Sequence, residues 1–171
     1  MCTQGVGLVG ASVAACFGEL RRAALPNLSA LLLRSNPIGD EGVHALCRAL
    51  RDKRAMPALK VLDISGEEVD EGVAITEQNA AAITNEGIAM FASTMQSGCI
   101  ANLSKLLLHR NAGITDKGLA SLQDALLNGA CGKLLTFYLE GHMGSEDAAL
   151  GLSRVMKMRG IQSDLFEAEQ D

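Results

Sequence analysis

Short apolar alternations and longer helical stripes follow each other along the chain in a fixed order. Leu31/Leu33, Leu62/Ile64, Leu106/Leu108 and Phe137/Leu139 sit two apart, the spacing that puts both side chains on one face of a strand. Downstream of three of these pairs the period changes. Val43, Leu46, Cys47 and Leu50 fall at i, i+3, i+4 and i+7, and Ile88, Phe91, Ala92 and Met95 repeat the stripe. Leu119, Leu122 and Leu126 follow it again. Such a stripe is one buried face of a helix. Around Ala148 to Met156 the pattern is weaker. Near the start, Val13, Cys16, Phe17 and Leu20 fit the helical template with no strand ahead of them, so an opening helix is expected over residues 6–24.

The alternation is a repeat. Leu28-Ser-Ala-Leu31-Leu-Leu33-Arg-Ser-Asn36-Pro-Ile38-Gly-Asp-Glu-Gly42 matches Leu103-Ser-Lys-Leu106-Leu-Leu108-His-Arg-Asn111-Ala-Gly-Ile114-Thr-Asp-Lys-Gly118. Further copies start at Leu59 and Leu134. The starting leucines are separated by 31, 44 and 31 residues, so the second copy carries an insertion, placed at about 68–81. Its second half resumes at Ile83-Thr-Asn-Glu-Gly87. Each unit reads as strand, turn, helix and return, which makes successive strands parallel. No unit can bury its own leucines, so stacking must do it. Helices are wider than strands, and the expected shape is a curved α/β solenoid with strands on the inner side. Four units over 25–158 and the opening helix make one domain, 1–158, followed by an acidic tail, 159–171.

Segments 28–50 and 103–126 resemble leucine-rich repeats of the ribonuclease-inhibitor class, which includes the repeats of NOD-like receptors and of the Ran GTPase-activating protein. The resemblance covers most of residues 6–156. It implies a right-handed horseshoe segment with a parallel sheet on the concave side and helices on the convex side. It departs from the family at Glu67 and His142, which stand at the usual Asn position, and at the insertion. At Asn36 and Asn111 a side-chain amide can bond backbone groups of the turn leaving the strand, a structural role. Gly42, Gly87 and Gly118 begin the helices, where a bare Cα permits close packing against the next unit.

Composition narrows the function. The chain has 171 residues, 48% of them hydrophobic and 3% aromatic, enough for one packed core and poor in stacking platforms for single-stranded nucleic acid. Its net charge of −5 disfavours a general polyanion binder. Nine acids sit in two segments, 67–77 and 164–171; without them eleven acids face fifteen bases. No apolar run is long enough to span a membrane. Five scattered cysteines without a CxxC pair read as free thiols in a reducing compartment, pointing to an intracellular, cytoplasmic protein. Gly5-Val-Gly7-Leu-Val-Gly10 lacks the preceding strand a dinucleotide site needs. Val13–Cys16 lacks the basic flank of a signal sequence. Asn27 and Asn102 open glycosylation sequons that fall at the same repeat position, as by-products of the template. No catalytic triad, metalloprotease motif or phosphate loop is present; no enzyme activity, cofactor or metal is expected, and His44, His109 and His142 read as surface or turn residues.

What remains is the strand face turned from the core. Counting by two places Ala30, Leu32 and Arg34 there, then Val61, Asp63 and Ser65, then Lys105, Leu107 and His109, then Thr136, Tyr138 and Glu140. Leu32, Leu107 and Tyr138 are expected to be exposed anchors, with Arg34, Asp63, Ser65, Lys105, His109 and Glu140 as the polar surround, the composition of a protein interface. The expected function is a protein–protein interaction module with another protein, not nucleic acid or membrane, as partner. Two alternatives stand beside it: a regulator of a small GTPase, by the resemblance to the Ran GTPase-activating protein, and an architectural subunit or fragment of a longer repeat array. The strand at Leu31–Leu33 is expected to be a sheet edge open to self-association or array extension. Leu165 and Phe166 are expected to fold back on the last unit.

Overall fold

A computed structural model of the chain describes residues 17–19, 25–66 and 83–165. Its elements are β1 (Ala30–Leu32), α1 (Gly39–Leu50), β2 (Val61–Asp63), α2 (Asn85–Gln96), β3 (Lys105–Leu107), α3 (Asp116–Leu127), β4 (Thr136–Tyr138), α4 (Glu146–Met158) and β5 (Gln162–Ser163). The strands form one parallel sheet in sequence order, β1 to β5. Each helix packs on the next, α1 on α2, α2 on α3 and α3 on α4. Among the described residues no helix is long and apolar enough to cross a membrane.

The helical stripes are buried as the period requires: Val43, Leu46, Cys47 and Leu50 in α1, Ile88, Phe91, Ala92 and Met95 in α2, and Leu119, Leu122 and Leu126 in α3. They share one core with Leu31, Leu62, Leu106 and Phe137, the inward residues at the centre of each strand. The weakly patterned fourth helix runs the full 13 residues and buries Ala149, Leu152, Val155 and Met156. Of the expected opening helix, Phe17, Gly18 and Glu19 are helical and Phe17 is buried. The rest of that helix, the motifs at 5–10 and 13–16, Glu67, the insertion at 68–81 and the tail from Phe166 lie outside the described residues.

Polar residues join the units in two recurring ways. The first is the turn after the strand. The Asn36 amide donates to the carbonyls of Leu33 (3.0 Å) and Arg34 (3.1 Å). Asn111, 1% exposed, donates to its own turn at Leu108 (3.0 Å) and to Ile64 of the preceding unit (3.2 Å), and its Oδ1 accepts from Ile83 N (3.4 Å). These are backbone groups that no ladder partner reaches, and an unpaired one would cost about 1–3 kcal/mol. His142, at the corresponding place in the fourth unit, has no amide to donate; its Nδ1 accepts from Gly144 N (3.0 Å) instead.

The second is a relay of helix caps from one unit to the next. Asp40, at the start of α1, accepts from Thr84 N (2.8 Å), Thr84 Oγ1 (2.5 Å) and Gly87 N (3.1 Å) at the start of α2. Asn85 does the same for α3, accepting from Thr115 N (2.9 Å) and Gly118 N (2.8 Å) while donating to Thr115 Oγ1 (2.9 Å). Asp116 continues to α4 through Ser145 N (2.6 Å) and Ser145 Oγ (3.0 Å). Each acceptor occupies free amides at a helix N-terminus. The glycines at 87 and 118 follow from this approach. A β-carbon at Gly87 would collide with the Asp40 carboxylate, and one at Gly118 would lie 2.7 Å from the Asn85 amide oxygen.

The fifth strand departs from the expected tail. Gln162 and Ser163 pair with Thr136 and Phe137, and Leu165 packs against the core. Ser163 takes the register position that a leucine or phenylalanine fills in the other strands, so among the described residues the sheet ends on a polar residue.

Candidate functional site

Strand register sorts the outward residues into rows. Leu32, Asp63, Leu107 and Tyr138 stand directly beside one another across the sheet. The row before it is Ala30, Val61, Lys105, Thr136 and Gln162. Continued two residues past the strands, the same register lines up Arg34, Ser65, His109 and Glu140. Backbone bonds hold that extension: Ser35 N donates to Ser65 O (3.1 Å), Gly66 N to His109 O (2.8 Å) and Arg110 N to Glu140 O (2.7 Å).

Exposure within the rows is uneven, and it corrects the counting by two. Leu32 is 52% exposed; Leu107 and Tyr138 are half-buried. Asp63 and Ser65 are buried, at 7% and 1% exposed, and so do not belong to the polar surround. Asp63 lies between Leu32 and Leu107, and its carboxylate turns back to accept from Ser65 N (3.0 Å). The Ser65 hydroxyl has no hydrogen-bond partner among the described residues. Strand alternation decides which face a side chain takes, but neighbours on that face decide whether water reaches it.

Around Tyr138 the rows interlock. The Lys105 ammonium sits 5.8 Å from the ring centroid, within cation–π range. The His109 ring stands 5.6 Å from the Tyr138 ring, centroid to centroid, tilted by 52°. His109 Nδ1 lies 3.2 Å from Asp164 Oδ2. Arg34 and Glu140 are exposed at opposite ends of their row, so the outer row runs from a cation to an anion.

Asp164, within the segment expected as an acidic tail, borders this face. Its carboxylate accepts from Leu139 N (2.8 and 3.0 Å) and from Glu140 N (2.9 Å). In earlier units the amide equivalent to Leu139 donates to the following strand: Leu33 to Asp63 O, Ile64 to Leu107 O, Leu108 to Tyr138 O. Asp164 replaces that strand with a side chain and ends the ladder. A signal existed. Gly98, Gly129 and Gly160 recur at intervals of 31 residues, and each has positive φ just past a helix, the usual glycine stop. The period therefore reaches Gly160. The strand after it was hidden because it lacks leucines and starts early, with Ser163 three residues past the glycine where Phe137 is eight past Gly129.

Protonation near this end follows the packing. Burial pushes His142 below the ordinary histidine value, against the opposing pull of the Asp164 and Asp116 carboxylates. The backbone amide and hydroxyl of Ser145 hold Asp116 below the usual carboxylate range. Burial raises the Cys47 thiol, and raises Cys131 to about 11; both are free, as is Cys99, and thiols so raised are poor nucleophiles.

No curated protein matches the chain. Residues 24–47, which cover β1, its turn and most of α1, match a family model described as Leucine Rich repeat. That match, followed by units that repeat the same strand, turn and helix across one parallel sheet, supports reading the chain as a leucine-rich repeat protein.

Proposed function

We propose that this chain is a protein-interaction module, rather than an enzyme, which binds another protein through the outward strand face. The observation that carries the reading is the row Leu32, Leu107 and Tyr138, broken only by the shaded Asp63 and bordered by Lys105 on one side and by Arg34, His109 and Glu140 on the other. An apolar line inside a charged rim matches the anatomy of a protein interface, and leucine-rich repeats generally mediate protein–protein interaction. Strand neighbours spaced about 4.8 Å apart, backed by helices that need about 8–10 Å each, favour a sheet curved inward, with this face concave. We read the units as ribonuclease-inhibitor-like on the length of their helices, 12 residues in α1, α2 and α3. The free thiols favour an intracellular setting. A preformed sheet loses little ordering entropy on binding.

The test is a pair of variants measured against a purified partner. Leu107→Glu with Tyr138→Ala should weaken binding at least about tenfold, the loss of one interface anchor. Lys117→Glu, on an exposed helix position, should leave it unchanged. Unaltered affinity in the folded double variant removes the strand face from the account.

A further inference from the structure

Three consecutive strands end in groups that converge. His109 follows β3, Glu140 follows β4 and Asp164 follows β5. One donor atom from each lies within 4.8 Å of the other two. We propose that these three residues bind a divalent transition metal ion of the zinc type.

The chemistry of the donors selects the ion. An imidazole nitrogen with two carboxylate oxygens suits a borderline cation such as Zn²⁺, whereas Mg²⁺ and Ca²⁺ favour sets of oxygen alone. Two of the ligands are held in place before any ion arrives. The amides of Leu139 and Glu140 fix both oxygens of Asp164 at 2.8–3.0 Å, and Oδ1, which takes only one of these bonds, keeps a lone pair free for a metal. Tyr138 packs beside the His109 ring at 5.6 Å. Such outer contacts orient metal ligands and sharpen affinity. The His109 and Asp164 side chains are 26% and 17% exposed and Glu140 is exposed, which leaves an entry path from solvent. Without metal, His109 Nδ1 stands 3.2 Å from Asp164 Oδ2. With metal bound, the His109 proton sits on Nε2 and Nδ1 turns its lone pair to the ion. Three protein ligands leave a fourth position for water or an outside ligand.

This site does not depend on the face binding a protein, and its test uses the full chain alone. Chelator-treated, reduced protein is titrated with ZnCl₂ by calorimetry at neutral pH, and with CoCl₂ by absorption. One zinc per chain is expected, with affinity falling at least about tenfold in His109→Ala and in Glu140→Gln. Arg34→Ala, in the same row, should bind as the parent does. The cobalt spectrum should show d–d bands without the thiolate charge-transfer band that a cysteine site produces. Glu140→Gln, a conservative change at an exposed position, keeps the test decisive if His109→Ala fails to fold. Absence of zinc binding, equal affinity in Glu140→Gln, or a thiolate band would overturn the proposal.

Discussion

Removing the Asp40 carboxylate should separate α1 from α2 more than any propensity argument suggests. The residue lies in the first turn of α1, where alanine would improve intrinsic helix propensity by a few tenths of a kcal/mol. Its carboxylate, however, takes three hydrogen bonds from the start of α2: Thr84 N at 2.8 Å, Thr84 Oγ1 at 2.5 Å and Gly87 N at 3.1 Å. Thr84 in turn caps α2 by accepting from Glu86 N (3.2 Å), so Asp40 also orients the cap. A lost helix cap costs about 1 kcal/mol, and hydrogen bonds to a charged group contribute about 1.5–3 kcal/mol each before overlap is discounted. Asp40→Ala should therefore destabilise the chain by about 2–3 kcal/mol, which lowers Tm by roughly 4–12 °C at this size. The neighbouring unit supplies an internal control. Asn85 performs the same task with an amide, accepting with Oδ1 and donating to Thr115 Oγ1 with Nδ2. Asp40→Asn should accordingly cost less than about 1 kcal/mol. Urea denaturation of the parent and both variants measures the differences, and a double-mutant cycle with Thr84→Val should return a coupling of about 1 kcal/mol or more. An alanine variant within about 0.5 kcal/mol of the parent would refute the relay. So would an asparagine variant as unstable as the alanine one.

Two further predictions come from the last unit. His142 is neutral and accepts from Gly144 N, and burial lowers its pKa; the unfolded chain therefore binds a proton first as pH falls below about 6.5. Stability should be full above that value and decline as pH drops toward the folded-state pKa, with a smaller decline in His142→Gln, which cannot titrate; urea midpoints across the window decide. Arg159 donates from Nη1 to Leu126 O (3.0 Å) and Ala130 O (2.7 Å) and from Nη2 to Cys131 O (3.1 Å), closing carbonyls at and beyond the end of α3. Arg159→Met should cost about 2–3 kcal/mol, and Arg159→Lys most of that, because an ammonium cannot match the planar fork; thermal denaturation of the two variants would show lysine restoring stability if charge alone were at work.

The strand–helix alternation was legible because it is local. A leucine pair two apart and a stripe at three and four report the period of their own backbone, whatever surrounds them. The same locality explains why Asn36 and Asn111 could be assigned to turns, since most of their bonds stay within three residues. The caps were not legible. Asp40 meets Thr84 forty-four residues later and Asn85 meets Thr115 thirty residues later, and nothing in a helix's first turn states that its acid serves the next helix.

The candidate face divides along the same line. Alternation alone placed Leu32, Leu107 and Tyr138 on the outward strand face, and the register sets them in one row. Shading was a tertiary matter: Asp63 and Ser65 share the outward face yet are buried, with the Asp63 carboxylate turned back onto Ser65 N between Leu32 and Leu107. The end of the sheet was tertiary too. Asp164 reads as one more acid until the fold lays it against two amides of β4's exit and beside His109. Periodicity thus determined which residues form the core and which way each strand faces. Only the stacking of units decided where Asp40, Asn85, Asp116 and Asp164 find partners, because those bonds join residues that the chain separates by about a whole repeat.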